Sequence, residues 1–110
     1  MKPLTSKQLM WVGIDLDETL AHNSGLPNFE LAEPVEGAKE ALEKIVDMGF
    51  KPIIYTARPY SDYNIIENWL DINKIPFRRI ICGKVLLRWM IDDKAINFSG
   101  NWGEVLAKIK

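Results

Sequence analysis

Asp15 and Asp17 stand one residue apart at the end of the apolar run from Met10 to Asp15 (MWVGID). Two carboxylates this close repel each other, and burying either of them is costly unless other groups compensate its charge. A buried strand that ends on such a pair is therefore expected to lie beside cations or hydrogen-bond donors that the rest of the chain supplies.

Polar and charged residues also follow three later apolar runs that are typical of buried strands. These runs are Lys51–Thr56 (KPIIYT), Phe77–Cys82 (FRRIIC) and Leu86–Asp92 (LLRWMID). Thr56 ends the first run, Lys84 comes just past the second, and Asp92 and Asp93 end the third. In a parallel sheet ligands bind at the carboxyl ends of the strands, so we expect these groups to converge with the first aspartate pair.

The expected cluster suits phosphate chemistry. Aspartate oxygens form a hard anionic site for Mg²⁺, which binds one or two carboxylates together with waters and a phosphate oxygen. The Thr56 hydroxyl and the Lys84 ammonium suit a phosphoryl group, whose transfer depends on positioning and charge neutralisation. One aspartate can attack phosphorus to give an aspartyl-phosphate, and the other can protonate the leaving oxygen and then activate water.

Helical patterns separate the predicted strands. The first predicted helix has Pro34 in its first turn and Gly49 as its C-cap. A second helix carries its apolar face from Tyr63 to Leu70, Asn101 is the N-cap of a last helix, and Ala95–Phe98 is a short edge strand. This alternation predicts a Rossmann-like α/β fold, a three-layer α/β/α sandwich with a central, mainly parallel sheet.

Length and composition indicate one ordinary globular domain over residues 1–110. Hydrophobic residues make up 47% of the chain and charged residues 26%, and the net charge of −1 gives no general attraction to nucleic acid. The single cysteine, Cys82, excludes an intrachain disulfide and fits a reducing compartment. No apolar run approaches the roughly 18 residues of a membrane span, and MKPLTSKQLM lacks the apolar core of a signal peptide. We therefore expect a cytoplasmic protein with no membrane partner.

The motifs resemble those of the haloacid dehalogenase-like (HAD) phosphohydrolases. Asp15-Leu16-Asp17-Glu18-Thr19 is similar to the DxDx[TV] signature of that family. YTARP, CGK and MIDDKAINF are similar to its second, third and fourth motifs, in the same order, and the resemblance covers the chain from about residue 10 to 103. Residues 20–33, expected to form a loop or a small hairpin, are too few for a helical cap. The resemblance therefore implies a small HAD-like domain with a minimal cap or none.

The resemblance also implies a function and a role for each matching residue. The expected activity is that of a Mg²⁺-dependent phosphomonoester hydrolase, with Asp15 as nucleophile and Asp17 as general acid/base. The expected phosphate-binding residues are Leu16, Thr56, Ala57, Arg58 and Lys84. The expected metal ligands are Asp15, Asp17, Asp92 and Asp93. Asp93 could instead orient Lys84, and Arg58 could instead cap the sheet edge.

Several alternatives stay open from the sequence. Glu18 and His22 could contact substrate or be surface residues without a role. The substrate could be a sugar phosphate, a nucleotide or a polynucleotide 3′-phosphate end, and a homo-oligomer that supplies lids would suit so small a chain. A receiver-like signalling or binding module, phosphorylated without turnover, is the main rival function, and a degenerate binding domain is another.

Overall fold

The computed structural model describes residues 3, 5, 8–23, 29 and 32–109. Its elements follow in the order β1 (Trp11–Ile14), β2 (Ala21–His22), β3 (Glu33–Pro34), α1 (Ala38–Asp47), β4 (Lys51–Tyr55), α2 (Tyr63–Ile72), β5 (Arg79–Ile81) and α3 (Trp102–Lys108). Short 3-10 turns precede β1 and α2, at Gln8–Met10 and Tyr60–Asp62. Within the described residues, no helix has the length and apolar character needed to cross a membrane.

The central sheet is parallel and has three strands in the order β1-β4-β5. Ile14 pairs with Ile54, and Ile54 pairs with Ile80, so the carboxyl ends of the strands lie at one edge. The chain thus alternates strand and helix through β1, α1, β4, α2 and β5, which confirms the predicted Rossmann-like α/β architecture at this level. The predicted hairpin within residues 20–33 is present as the antiparallel pair β2–β3, and most of the segment between those strands is outside the described residues.

The helices bury their apolar faces against one side of this sheet. Ile14, Ile54 and Ile80 from the strands join a single hydrophobic cluster with residues of all three helices. The helical members include Leu42 and Ile45 of α1, Ile66, Trp69 and Leu70 of α2, and Trp102 and Val105 of α3. The opposite face of the sheet carries Lys51, Ile53, Tyr55 and Arg79; Tyr55 is 41% exposed, whereas Ile53 is only 3% exposed.

The helices thus cover the sheet face that carries Ile14, Ile54 and Ile80. The predicted three-layer arrangement stays a prediction. Both crossovers, from β1 to β4 and from β4 to β5, step in the same direction across the sheet. Because such connections are right-handed, they place α1 and α2 on the same face.

Leu86–Asp92 is a correction to the sequence prediction, because it is neither strand nor helix. Only four residues, 82–85, separate the end of β5 from Leu86. A connection between parallel strands needs a dozen or more residues, so a strand that starts at Leu86 is out of reach of the free edge of β1. The Gly83 and Lys84 N–H groups instead donate to the Arg58 and Thr56 carbonyls, which holds this link at the carboxyl edge.

The segment that follows is exposed. The apolar side chains of Val85, Leu86, Leu87, Trp89, Met90 and Ile91 have between 59% and 100% of their surface accessible. The edge strand predicted at Ala95–Phe98 is also not formed. A run of β-branched and large apolar residues reads as a strand from sequence, but it needs a neighbouring strand within reach to become one.

The residues predicted to end α1 and to begin α3 are confirmed, in contrast to the predicted strands at Leu86–Asp92 and Ala95–Phe98. Gly49 follows α1 with φ 94°, and its N–H donates to the Val46 carbonyl, as the predicted C-terminal glycine should. The Asn101 side chain accepts a hydrogen bond from the Glu104 N–H, which confirms the predicted N-cap of α3. Pro34 is an exception, because it pairs with Ala21 in the β2–β3 hairpin, and α1 starts four residues later.

Candidate functional site

Asp15 and Lys84 meet at the carboxyl edge of the sheet. Asp15 directly follows β1, and its Oδ1 lies 3.1 Å from the Lys84 Nζ. The Asp15 side chain is 42% exposed, so its carboxylate is accessible while it is paired. Lys84 also lies over the ring of Tyr55, with Nζ 5.5 Å from the ring centroid. The predicted encounter between the first aspartate and the lysine that follows the third strand is thus present in the structure.

Thr56 lies at the centre of this edge and is fully buried. Its N–H donates to the Ile81 carbonyl, and its own carbonyl accepts from the Lys84 N–H, so the residue ties the ends of β4 and β5 together. The Thr56 Oγ1 accepts a hydrogen bond of 3.2 Å from the Arg58 N–H, and the half-buried Ala57 lies between them. A threonine here fixes the loop and still keeps its hydroxyl proton available to donate.

Asp17 is bound by the guanidinium of Arg58. The Arg58 Nε lies 3.0 Å from Asp17 Oδ2, and Nη2 lies 2.8 Å from Asp17 Oδ1. The Asn23 Nδ2 also donates to Asp17 Oδ1. This bidentate ion pair is the strong form of carboxylate recognition. The hydrogen bond and the charge of Asp17 raise the pKa of Arg58 above its usual value, Asp62 adds to that effect, and partial burial opposes it.

The turn after Asp15 is built on Leu16, which the sequence analysis names as a phosphate-binding residue. Leu16 is fully buried, and its carbonyl accepts from the N–H groups of Thr19, Leu20 and Ala21. The Leu16 N–H donates to Asp15 Oδ1 at 2.9 Å, so in this structure it is used by the carboxylate and not held open for a phosphate.

Glu18, next in this turn, is exposed and has φ 62°, a left-handed conformation that is uncommon outside glycine. Its carboxylate accepts from the Asn23 N–H and lies 3.9 Å from the Nδ1 of His22. Glu18 thus contacts both His22 and Asn23, and Asn23 also donates to Asp17.

Asp92 and Asp93 are not brought to the cluster. Both are exposed. The Lys94 Nζ lies 3.3 Å from Asp93 Oδ2, and the Lys94 backbone N–H donates a hydrogen bond of 2.7 Å to Asp92 Oδ1. Over the described part of the chain, no three His, Cys, Asp or Glu side chains are grouped so that they could hold a metal ion. The predicted four-aspartate ligand set is thus not assembled in this structure, because the strand expected to carry its second half is not formed.

Sequence reasoning missed two residues that contact Arg58. Asp62 accepts a hydrogen bond of 3.3 Å from Arg58 Nη1, and the Phe29 ring lies 4.5 Å from the Arg58 Cζ. The four-residue spacing of Arg58 and Asp62 at a predicted helix start is a signal for such a pair. Phe29 lies in the segment 20–33, which the sequence predicts as a loop or a small hairpin, and no sequence pattern there indicates a contact between Phe29 and Arg58.

Comparison with known proteins bears on the fold alone. No protein-family model matches the sequence, and no curated protein is significantly similar to it. The chain is similar to the crystal structure of an MCSG target protein from Vibrio cholerae, with 25% sequence identity and a TM-score of 0.70. The similarity covers 91% of this chain and 89% of that one, which supports the α/β architecture over nearly the whole length.

Proposed function

We propose that this chain is a phosphomonoester hydrolase of the HAD type, in which Asp15 is the nucleophile and Asp17 the general acid/base. The single observation that carries the proposal is the convergence of Asp15, Thr56 and Lys84 at the ends of three adjacent parallel strands. A carboxylate, a hydroxyl and an ammonium within one edge match the nucleophile and the two anion-binding groups that phosphoryl transfer needs. The similarity of their motifs to those of the family supports the same assignment.

In the proposed reaction the accessible Asp15 carboxylate attacks phosphorus and forms an aspartyl-phosphate while the bond to the leaving oxygen breaks. Lys84 and Thr56 stabilise the charge on the transferring phosphoryl oxygens. Asp17 gives a proton to the leaving alkoxide, and then takes one from the water that hydrolyses the aspartyl-phosphate. Because Asp17 is bound to Arg58 in the structure, it must at least partly leave that guanidinium to exchange a proton with substrate.

Mg²⁺ is part of the proposal, and the aspartates that follow β1 fit it only in part. Asp15 would give a carboxylate oxygen and Asp17 its backbone carbonyl, and they would hold the ion together with substrate oxygens and water. Asp92 and Asp93 do not contribute in the arrangement described above. When bound, the ion would supply additional positive charge for the phosphoryl oxygens.

The proposal is tested by measuring phosphate release from an aryl phosphate, sugar phosphates, nucleotides and 3′-phosphorylated oligonucleotides in the presence of Mg²⁺. Asp15→Asn keeps the shape of the side chain and removes the nucleophile, so it should abolish release from every substrate. Asp71→Asn is a matched control, since Asp71 is an exposed aspartate on α2, and it should leave activity unchanged. Equal activity of Asp15→Asn and wild type would refute the assignment.

A second candidate is a phosphorylatable module without turnover, and the Arg58–Asp17 ion pair is the observation that favours it. A carboxylate held on both oxygens by a guanidinium is poorly placed to activate water, which would prolong the life of an aspartyl-phosphate. Acetyl phosphate treatment followed by denaturing electrophoresis of the phosphorylated chain distinguishes the two. A phosphoryl group on Asp15 that persists for many minutes would support the module, and rapid loss with steady phosphate release supports the hydrolase.

A further inference from the structure

Asp62 is at the N-cap position of α2 but does not cap the helix. An aspartate at this position ordinarily accepts a hydrogen bond from an N–H of the first helical turn. No such side-chain bond is made by Asp62, whereas Asn101, at the N-cap of α3, does accept the Glu104 N–H. The Asp62 Oδ2 is instead 3.3 Å from Arg58 Nη1. The carboxylate is thus directed away from its own helix and towards the residue that binds Asp17.

Arg58 is held from three directions. Its Nε and Nη2 atoms face Asp17, and its Nη1 faces Asp62. The third contact is the ring of Phe29, which lies 4.5 Å from Cζ and is itself 9% exposed and packed 5.3 Å from the Trp69 ring. The guanidinium is planar and rigid, so contacts at its Nη1 end and on its face set the direction of its Nε–Nη2 edge.

We propose that Asp62 is a positioning residue: it fixes the guanidinium of Arg58 so that the Nε–Nη2 edge orients the Asp17 carboxylate before the ion pair loosens and Asp17 exchanges a proton with substrate. This deepens the proposed function and rests on it. Of the proposed site residues, Asp62 pairs with Arg58. Because its side chain makes no hydrogen bond or ion pair to Asp15, Asp17 or Lys84 among the described residues, it acts through Arg58. The role is specific to the carboxylate, because only a charged acceptor holds a guanidinium strongly from this side.

The rival explanation is that Arg58 and Asp62 form an ordinary ion pair at four-residue spacing that stabilises the start of α2. Such pairs contribute little when exposed. Lys39 and Glu43 of α1 are a comparison pair with the same spacing, 3.6 Å apart, on a helix that carries none of the proposed site residues. The two explanations differ in what the loss of Asp62 changes, since a stabilising pair affects melting and a positioning residue affects turnover.

The kinetic test measures kcat and KM for Asp62→Asn, Asp62→Glu and Glu43→Gln. Each substitution is made once in the wild-type chain and once in the Arg58→Ala variant, and each is compared with its own parent. Asp62→Asn should lower kcat about 5- to 10-fold with KM changed less than about 2-fold, as expected for one charge-assisted hydrogen bond in a partly exposed site. Asp62→Glu, which keeps the charge, should recover most of that loss. In Arg58→Ala the substitution of Asp62 should have no further effect, because its route of action is gone.

A readout without catalysis separates this inference from the proposed function. The Arg58 Nε–H gives a side-chain ¹⁵N signal, identified by its absence in Arg58→Lys, and its exchange with water reports how firmly the guanidinium is held. We expect exchange at least about 5-fold faster in Asp62→Asn and unchanged in Glu43→Gln. Unchanged exchange in Asp62→Asn, or a kcat loss that persists in Arg58→Ala, would overturn the inference. If the wild type hydrolyses no phosphate ester, the proposed function fails, and the exchange measurement still decides whether Asp62 positions Arg58.

Discussion

Trp69 carries the clearest stability prediction, because it joins the core to the candidate site. It is 1% exposed, its Nε1 donates to the Ala32 carbonyl at 2.9 Å, and its ring packs against Phe29, which lies on Arg58. Trp69→Phe removes roughly 40–50 Å² of buried apolar surface, which is about 1 kcal/mol at about 25 cal/mol per Å². It also leaves the Ala32 carbonyl without its donor, which adds about 1–2 kcal/mol.

The total of about 2–3 kcal/mol is a large share of the roughly 5–15 kcal/mol by which a domain is stable. We expect urea unfolding, followed by far-ultraviolet circular dichroism, to show a lower midpoint with an unchanged slope. Trp89→Phe is the control, because Trp89 is 79% exposed and should change the free energy of unfolding by less than about 0.5 kcal/mol. If Trp69→Phe loses no more stability than Trp89→Phe, the assignment of Trp69 to the core is refuted.

Three further predictions follow from single contacts. Lys84→Met should reduce aryl phosphate hydrolysis by about 100-fold or more, since a charge-stabilising group is lost. The melting temperature followed by circular dichroism should hardly change, because the partly exposed Asp15–Lys84 pair contributes only about 0–1 kcal/mol. A large melting shift with retained turnover would contradict this. Burial, with a smaller contribution from Asp62, raises the pKa of the Cys82 thiol, so less thiolate is present at a pH near 8. The thiol should therefore react more slowly with a disulfide reagent in the native protein than in urea. Equal rates would count against the buried position. Six apolar side chains between Val85 and Ile91 are at least 59% exposed, and contiguous exposed apolar patches mark association sites. Sedimentation should therefore reveal concentration-dependent self-association that Trp89→Glu weakens, and a wild type that is monomeric at every concentration would argue against it.

The carboxyl edge of the sheet was predictable because its residues follow directly from local rules. Alternating apolar runs and helical patterns indicate parallel strands, and parallel strands present their ends at one edge, so the meeting of Asp15, Thr56 and Lys84 needs no knowledge of the packing. Gly49 and Asn101 were predictable for a similar reason, since each satisfies backbone groups within a few residues of itself.

Whether Leu86–Asp92 forms a strand was decided only by the tertiary structure. Its composition is that of a strand, but strand formation depends on a partner edge that the short link 82–85 does not reach. Asp92 and Asp93 therefore stand apart from the aspartates with which sequence order groups them.

The contacts of Arg58 were likewise beyond the sequence. Asp17 is 41 residues away from Arg58 along the chain, and Phe29 approaches from a loop without a recognisable pattern. Phe29, whose ring packs against Trp69, and Asp62 at the start of α2 contact the guanidinium from two further sides. Sequence by itself thus determined which charged residues reach the edge of the sheet, because strand order and period are local properties. The tertiary structure decided which of them pair, because ion pairs depend on the directions in which distant elements present their side chains.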